Sequence, residues 1–241
     1  MHKILINGAW VDALAETQRE ITNPATLESL GTVPDCGPAD VARAVAAAKA
    51  AQRAWWKIPG VEKAKLLREI GARIRAREHG LATLMCQETG KPLCEAVDCI
   101  DWVAACFEYY GEVARSSYGN SVPPVAPHQL NFTIKEPFGV VAAIVPFNFP
   151  LLLMAWKVAP AIAAGNTVVC KPPHQNPLSN LMLAEVYDLL PPGVVNVVTG
   201  AAETGAALVE HAHVDMIAFT GSTAAGRKLR QPPARNSRRS I

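Results

Sequence analysis

From residue 139 onward the sequence alternates short, largely apolar runs with amphipathic stretches, and this alternation limits the fold more than any other feature. Residues 139–145, 167–171, 194–199 and 216–220 are rich in β-branched residues and read as strands. Residues 151–164, 178–190, 204–211 and the stretch from Ser222 onward read as helices. Strands that are apolar on both sides need cover on both faces. The order therefore predicts an α/β chain whose parallel sheet is flanked by helices on both faces. In such sheets ligands bind beyond the carboxyl ends of the strands, so chemistry is expected in the four strand-to-helix loops.

The upstream residues read differently. Ile4-Leu5-Ile6, Asn7-Gly8 and Ala9-Trp10-Val11 form a hairpin signal, because Asn-Gly supplies the two positive φ angles of a type I′ turn. Residues 40–56 predict a helix with Val41, Ala44, Val45, Ala48 and Trp55 on one face. Residues 61–79 predict another, with Leu66, Leu67, Ile70 and Ile74 inward and Gly80 as its stop. Helices over 81–88 and 93–115 follow, separated by Thr89-Gly90-Lys91-Pro92. Residues 121–127 hold three Pro and read as an extended connector, and 129–136 alternate like a half-exposed strand. The expected organisation is an N-terminal hairpin and helical part (1–119), a connector and strand (120–137), a parallel-sheet part (138–229) and a basic tail (230–241).

Composition removes several function classes. Half of the 241 residues are apolar and 18% are charged, which excludes disordered, collagenous and coiled-coil chains. The formal charge of +2 conceals an asymmetry. Four of the 23 basic residues are the Arg of the last twelve positions, which hold no acid, so residues 1–229 carry 19 bases against 21 acids. Four Arg without interleaved aromatics are a thin footprint for nucleic acid, and no nucleic-acid partner is expected. Residues 137–156 are uncharged for twenty positions, yet Pro146, Asn148 and Pro150 interrupt them, so no membrane span is expected. The six Cys include no C-x-x-C pair and no His at ligand spacing, so no metal site is expected. Cys94, Cys99 and Cys106 read as small core residues of one helix. Reduced thiols without a signal sequence point to the cytoplasm.

Each of the four loops has two readings when taken alone. Pro146-Phe147-Asn148-Phe149-Pro150 holds an Asn between prolines at a strand end. Its amide is either a donor suited to an oxyanion or a turn residue bonding its own backbone. Lys171 is either a ligand for ribose or phosphate oxygens or a solvated strand-end cation. Gly200-Ala201-Ala202-Glu203-Thr204-Gly205 and Gly221-Ser222-Thr223-Ala224-Ala225-Gly226 open helices, where small residues allow a phosphate to approach free N–H groups or simply permit a tight turn. The second loop has the glycine spacing of a Walker A loop, but Arg227-Lys228 stands where Lys-[Ser/Thr] is required.

Taken together, these segments carry a specific resemblance. Pro146-Phe147-Asn148-Phe149-Pro150, Leu153-Met154-Ala155-Trp156-Lys157, Gly165-Asn166, Lys171-Pro172, the run from Pro192 to Gly200, and Phe219-Thr220-Gly221-Ser222-Thr223 resemble the NAD(P)-dependent aldehyde dehydrogenase superfamily in order and spacing. Glu88-Thr89-Gly90-Lys91-Pro92 and the opening hairpin are similar to it as well. The resemblance implies a Rossmann-like sheet that binds NAD or NADP, and oxidation of an aldehyde to a carboxylic acid. In the family a Cys thiolate attacks the aldehyde, hydride passes to the nicotinamide, and a Glu-activated water hydrolyses the thioester. By resemblance Asn148 is the oxyanion donor, Lys157 a proton-relay residue, and Trp156 a border of the substrate passage. Val145, Pro146, Phe147, Lys171, Gly200, Gly205, Gly221, Ser222 and Gly226 are the cofactor-binding positions. The strand from Leu130 matches part of an oligomerisation hairpin, since full-length members form homo-oligomers.

Three departures qualify what the resemblance implies. His174 stands three positions after Lys171, where the family has an acidic or small polar residue, and the loss of a carboxylate favours tolerance of NADP. Gly200-Ala201-Ala202 lacks a second Gly, which crowds the adenine end. Finally, the family's Glu-Leu-Gly-Gly and Gly-Gln-x-Cys motifs do not occur in this sequence, and the segment from Arg230, with Pro232-Pro233, does not resemble the family. The expectation is therefore a truncated or frame-shifted chain without its nucleophile and general base, inactive alone and unable to assemble normally. Cys170, at the end of a buried strand, is expected to pack in the core.

Overall fold

Four parallel strands form the centre of the molecule. The structure is a computed structural model that describes residues 2–229 and 239–240. β1 (Ile4–Ile6) and β2 (Ala9–Val11) form the opening hairpin, with Asn7 at φ 54° and Gly8 at φ 75°, as a type I′ turn requires. A second hairpin joins β3 (Gln18–Thr22) and β4 (Ser29–Pro34). Helices α1 (Pro38–Lys57), α2 (Gly60–Ala76), α3 (Glu78–Thr89) and α4 (Leu93–Arg115) follow. A short ribbon pairs β5 (Ser121–Val122) with β6 (Asn131–Phe132).

The alternating half then runs β7 (Val140–Ile144), α5 (Pro150–Ala163), β8 (Thr167–Lys171), α6 (Leu178–Ala184) with a 3-10 turn (Glu185–Leu189), β9 (Val195–Val197), α7 (Ala202–Glu210), β10 (Met216–Phe219) and α8 (Thr223–Leu229). The sheet order is β11-β10-β7-β8-β9-β1-β2, where β11 (Arg239–Ser240) pairs parallel to β10 through its backbone. β10, β7, β8 and β9 are mutually parallel. β1 adds antiparallel to β9 through Leu5 and Val197, so the opening hairpin extends the sheet instead of standing apart.

The strand pleat sorts the core into two layers. Val141, Ala143, Val168, Cys170, Val195 and Val197 face α2–α6, whereas Val140, Ala142, Ile144 and Val169 face α1 and α7. Helices therefore cover both faces, as continuous apolar strands demand. Cys170 lies in the first layer, where burial pushes its thiol far up.

Some local expectations are corrected. The break after α2 falls at Arg77, and Gly80 lies inside α3. Leu81, Ala82 and Met85 are buried there, and their packing outweighs the glycine penalty of roughly 1 kcal/mol. Only two residues of 129–136 form a strand. Leu130, Phe132 and Ile134 remain exposed because no layer covers the ribbon. Cys99 and Cys106 are core residues, but Cys94 is exposed. Among the described residues no helix is long and apolar enough to cross a membrane. The expected helix break at Pro232-Pro233 lies outside the described residues.

Candidate functional site

A cavity of about 480 Å³ opens at the carboxyl ends of β7, β8 and β10. Ile144 and Phe219 end two of those strands and form apolar walls. Ala201, Glu203 and Gly205 contribute the start of α7, and Ala225 contributes α8. Lys171 and His174 supply the basic groups of the lining. Lys171 is buried, and its Nζ donates to the Pro172 carbonyl at 2.9 Å. Burial, opposed by Asp35 and helped to a smaller extent by Arg19, lowers its pKa to about 8. His174 is shifted down by burial first and by Arg19 and Lys171 next.

The glycines around this cavity have local reasons. Gly200 turns at φ +146°, a conformation L side chains rarely adopt, and delivers the chain to α7. A Cβ on Gly205 would lie 3.6 Å from the Lys171 stem, so anything larger would take up the cavity. Ser222 caps α8. Its Oγ accepts from Ala225 N–H at 3.2 Å, and its carbonyl accepts from Gly226 N–H at 2.9 Å. Gly221 stands exposed before that cap.

The 146–150 loop lies beyond β7 and outside the lining of this cavity. Val145 is buried in the core, Pro146 is half-buried, and Phe147 and Asn148 are exposed. Among the described residues the Asn148 side chain makes no hydrogen bond. The self-bonded turn is therefore not what the loop adopts, and the amide is available to a ligand. Two neighbours brace the loop on either side of it. Asn176 Nδ2 donates to the Phe147 carbonyl at 2.8 Å, and Lys91 Nζ sits 3.7 Å over the Phe149 ring. Both neighbours are tied to Glu88, which ends α3 three residues before Lys91. Its carboxylate accepts from Leu178 N–H at 2.7 Å, Ser179 N–H at 3.0 Å and the Ser179 hydroxyl. Burial still pushes the Glu88 carboxyl up to about 7 against those bonds.

Lys157 connects α5 to the end of β10, donating to Thr220 Oγ1 at 2.7 Å, and burial lowers its pKa. Trp156 is exposed beside it and lines an aromatic cavity of about 530 Å³ with Trp102, Tyr109 and Tyr110. None of the thiols with a resolved shift is activated. Burial pushes Cys36 up to about 11 and Cys106 up to about 12, and it raises Cys99 and Cys170 as well. Among the described residues no cluster of three His, Cys, Asp or Glu could hold a metal ion.

Lys171 and Gly205 thus share one cavity, with Gly200 and Gly226 each next to a lining residue. Gly221 and Ser222 stand at the start of α8, and Val145, Pro146, Phe147 and Asn148 form a separate flank. Sequence reading noted Glu88 only as part of a motif and missed Asn176, and it gave neither a role, because their partners are distant in the chain. It also missed the α4 aromatics, although Trp102 and Tyr109 are two helical turns apart and could have marked one face.

The sequence matches the model described as Aldehyde dehydrogenase family over residues 10–241. It is 43% identical to aminoaldehyde dehydrogenase 2 of Zea mays over 237 residues, covering 94% of this chain and 47% of that protein. A glutarate-semialdehyde dehydrogenase of Pseudomonas aeruginosa is also 43% identical, with 93% and 47% covered. An E. coli NADP-dependent enzyme superposes with TM-score 0.92 at 40% identity, covering 95% of this chain and 48% of that one. A betaine aldehyde dehydrogenase point mutant from Staphylococcus aureus in complex with NAD+ gives TM-score 0.96 at 32% identity, covering 99% and 50%. The chain spans about half the length of the curated relatives it matches.

Proposed function

The chain belongs to the aldehyde dehydrogenase family, and on that premise we propose that it supplies the nucleotide cleft and the oxyanion donor of an enzyme oxidising an aldehyde to a carboxylic acid. The observation that carries this reading is the 480 Å³ cavity, where a buried ammonium meets apolar walls and the small residues Ala201, Ala202, Gly205 and Ala225 of two helix starts. Such a lining fits a dinucleotide. Ile144 and Phe219 suit an adenine face, Lys171 suits ribose or phosphate oxygens, and Gly205 leaves space beside that ammonium. When bound, NAD or NADP supplies the hydride acceptor. The occurrence of NAD+ and NADP among the structural neighbours supports this class.

Asn148 would donate from its unpaired amide to the oxygen that becomes negative on the aldehyde carbon. Asn176 and Lys91 keep that donor from having to be ordered during the reaction. Lys157, poised on Thr220, would hold a proton near the same strand ends. The aromatic cavity at Trp156 and Trp102 supports an apolar approach path for the aldehyde. The NADP reading rests on His174, which puts no carboxylate against a 2′-phosphate. Cytoplasmic residence is supported by six free thiols. The exposed apolar side chains of the β5–β6 ribbon suit the oligomerisation hairpin of full-length members, of which this chain carries a part and with which alone it would not assemble normally.

A second reading is a nucleotide-binding protein without turnover, favoured by the raised thiol pKa values. The covalent step needs a thiolate, and burial holds Cys36, Cys99, Cys106 and Cys170 protonated at neutral pH. Incubating the purified chain with NAD or NADP and a panel of aldehydes, and following reduced nicotinamide, tests whether the chain turns over on its own. Cofactor binding without reduction supports a chain that needs other residues for the nucleophile. Reduction by the chain alone would refute that division of labour.

A further inference from the structure

We propose that the Arg19–Asp35 ion pair is a specificity-determining element of the nucleotide cavity, in which Arg19 neutralises the carboxylate beside Lys171 and His174 and so admits a 2′-phosphate. This deepens the dinucleotide reading and rests on it. The pair comes from the β3–β4 hairpin, outside all four strand-to-helix loops.

Asp35 directly follows β4, and both of its neighbours are fastened to the cavity wall. Thr199 Oγ1 donates to the Pro34 carbonyl at 2.6 Å, and Cys36 N–H donates to the Thr199 carbonyl at 3.0 Å. Thr204 Oγ1 donates to the Cys36 carbonyl at 2.7 Å. Thr199 and Thr204 bracket the 200–203 turn, whose Ala201, Ala202 and Glu203 line the cavity, so these three bonds hold Asp35 next to that turn, although neither Asp35 nor Arg19 is itself a lining residue. Arg19 grips Asp35 with two donors, Nε at 3.3 Å and Nη2 at 2.8 Å. Arg19 stands opposite Val33 in the hairpin, and both members of the pair are part-buried. Lys171 and His174 each sense both members of the pair. Glu203 is the carboxylate in the cavity lining itself, and it is exposed.

The charge balance follows. With Arg19 in place, the ion pair contributes no net charge, and Lys171 is the cation of a lining whose carboxylate, Glu203, is exposed to solvent. Without Arg19, an unpaired carboxylate would face the 2′-phosphate of NADP, whereas the 2′-hydroxyl of NAD would meet an acceptor it can bond. Arg19 thus acts against the carboxylate and not by touching the nucleotide itself.

The experiment is calorimetric titration of the full chain with NADP and with NAD, using the parent, Arg19→Gln, Asp35→Asn and the double variant. Arg19→Gln should weaken NADP about tenfold while changing NAD less than about twofold, because only one ligand carries the extra charge. Asp35→Asn should bind NADP at least as tightly as the parent. The double variant should return NADP to within about threefold of the parent, since it has lost the carboxylate with the cation. That recovery separates the idea from a folding defect, because the double variant also lacks the ion pair. Equal loss of NAD and NADP in Arg19→Gln, or a double variant as weak toward NADP as Arg19→Gln, would overturn the proposal. A parent chain that binds neither nucleotide would instead overturn the dinucleotide reading beneath it.

Discussion

Asn176 donates its side-chain amide to the Phe147 carbonyl at 2.8 Å, which anchors the residue immediately before Asn148. Asn176 is itself buried, and two residues later the α6 start is held by Glu88. A carboxylate at the end of α3 therefore orders a loop sixty residues away through one helix start and one amide.

Replacing Asn176 by Ala should loosen that loop without unfolding the sheet. The lost bond is worth about 1 kcal/mol, so amide hydrogen exchange at residues 147–149 should rise several-fold while β8 amides keep their protection. Unchanged exchange in the loop would show that Lys91 alone suffices.

Glu88 gives a pH dependence of defined sign. Its folded-state pKa of about 7 lies above the ordinary carboxyl value of 4.5, so the native state holds more protons than the unfolded chain between those values. Its contribution is complete below pH 4.5 and is lost as pH rises toward 7. Relative to Glu88→Gln, the parent should lose roughly 1–3 kcal/mol of stability from pH 5 to pH 7. Parallel denaturation curves across that range would disprove the assignment.

Lys171 has the opposite linkage and a functional consequence. Its folded pKa of about 8 is below the ordinary value of 10.5, so the ammonium is discharged as pH passes 8. Nucleotide affinity should fall through that range. Between pH 8 and 10.5 the unfolded chain holds more protons, and the destabilisation this group imposes on the fold is progressively relieved as pH rises. Lys171→Met should bind nucleotide at least about tenfold more weakly at pH 7 and show no such pH step, while keeping its thermal midpoint, since a buried cation is exchanged for a packed apolar chain.

Gly205→Val should separate binding from stability in the same way. The added branches would enter the space beside the Lys171 stem. We expect nucleotide affinity to drop by roughly tenfold or more, with stability nearly unchanged, because the helix penalty of Gly, about 1 kcal/mol relative to Ala, is largely kept by the β-branched Val. Fluorescence titration and a thermal melt check the two halves.

Much of this organisation could be read from particular residues. α4 runs over 93–115 as expected, because Pro92 sets its start and its apolar spacing continues for six turns. The four strand ends were legible because their runs are apolar on both sides, and Lys171 stood out as a cation closing such a run. The β3–β4 hairpin was not, since Gln18–Thr22 buries one residue fully and mixes charges along its length. The roles of Asn176, Glu88 and the Arg19–Asp35 pair were invisible for another reason. Their meaning depends on partners 16 to 91 positions away, and no local spacing encodes those distances. Asn148 occupies a middle position. Its type and its flanking prolines were readable, but only the structure excludes the self-bonded turn.

The central claim is that the cavity at the strand ends is a dinucleotide site organised by Lys171. Equilibrium titration of the purified chain with NAD and NADP tests it most directly. The account predicts saturable binding of at least one of them at a single site, strongly weakened by Lys171→Met and by Gly205→Val. Absence of binding by a folded chain, or binding indifferent to both substitutions, would contradict it.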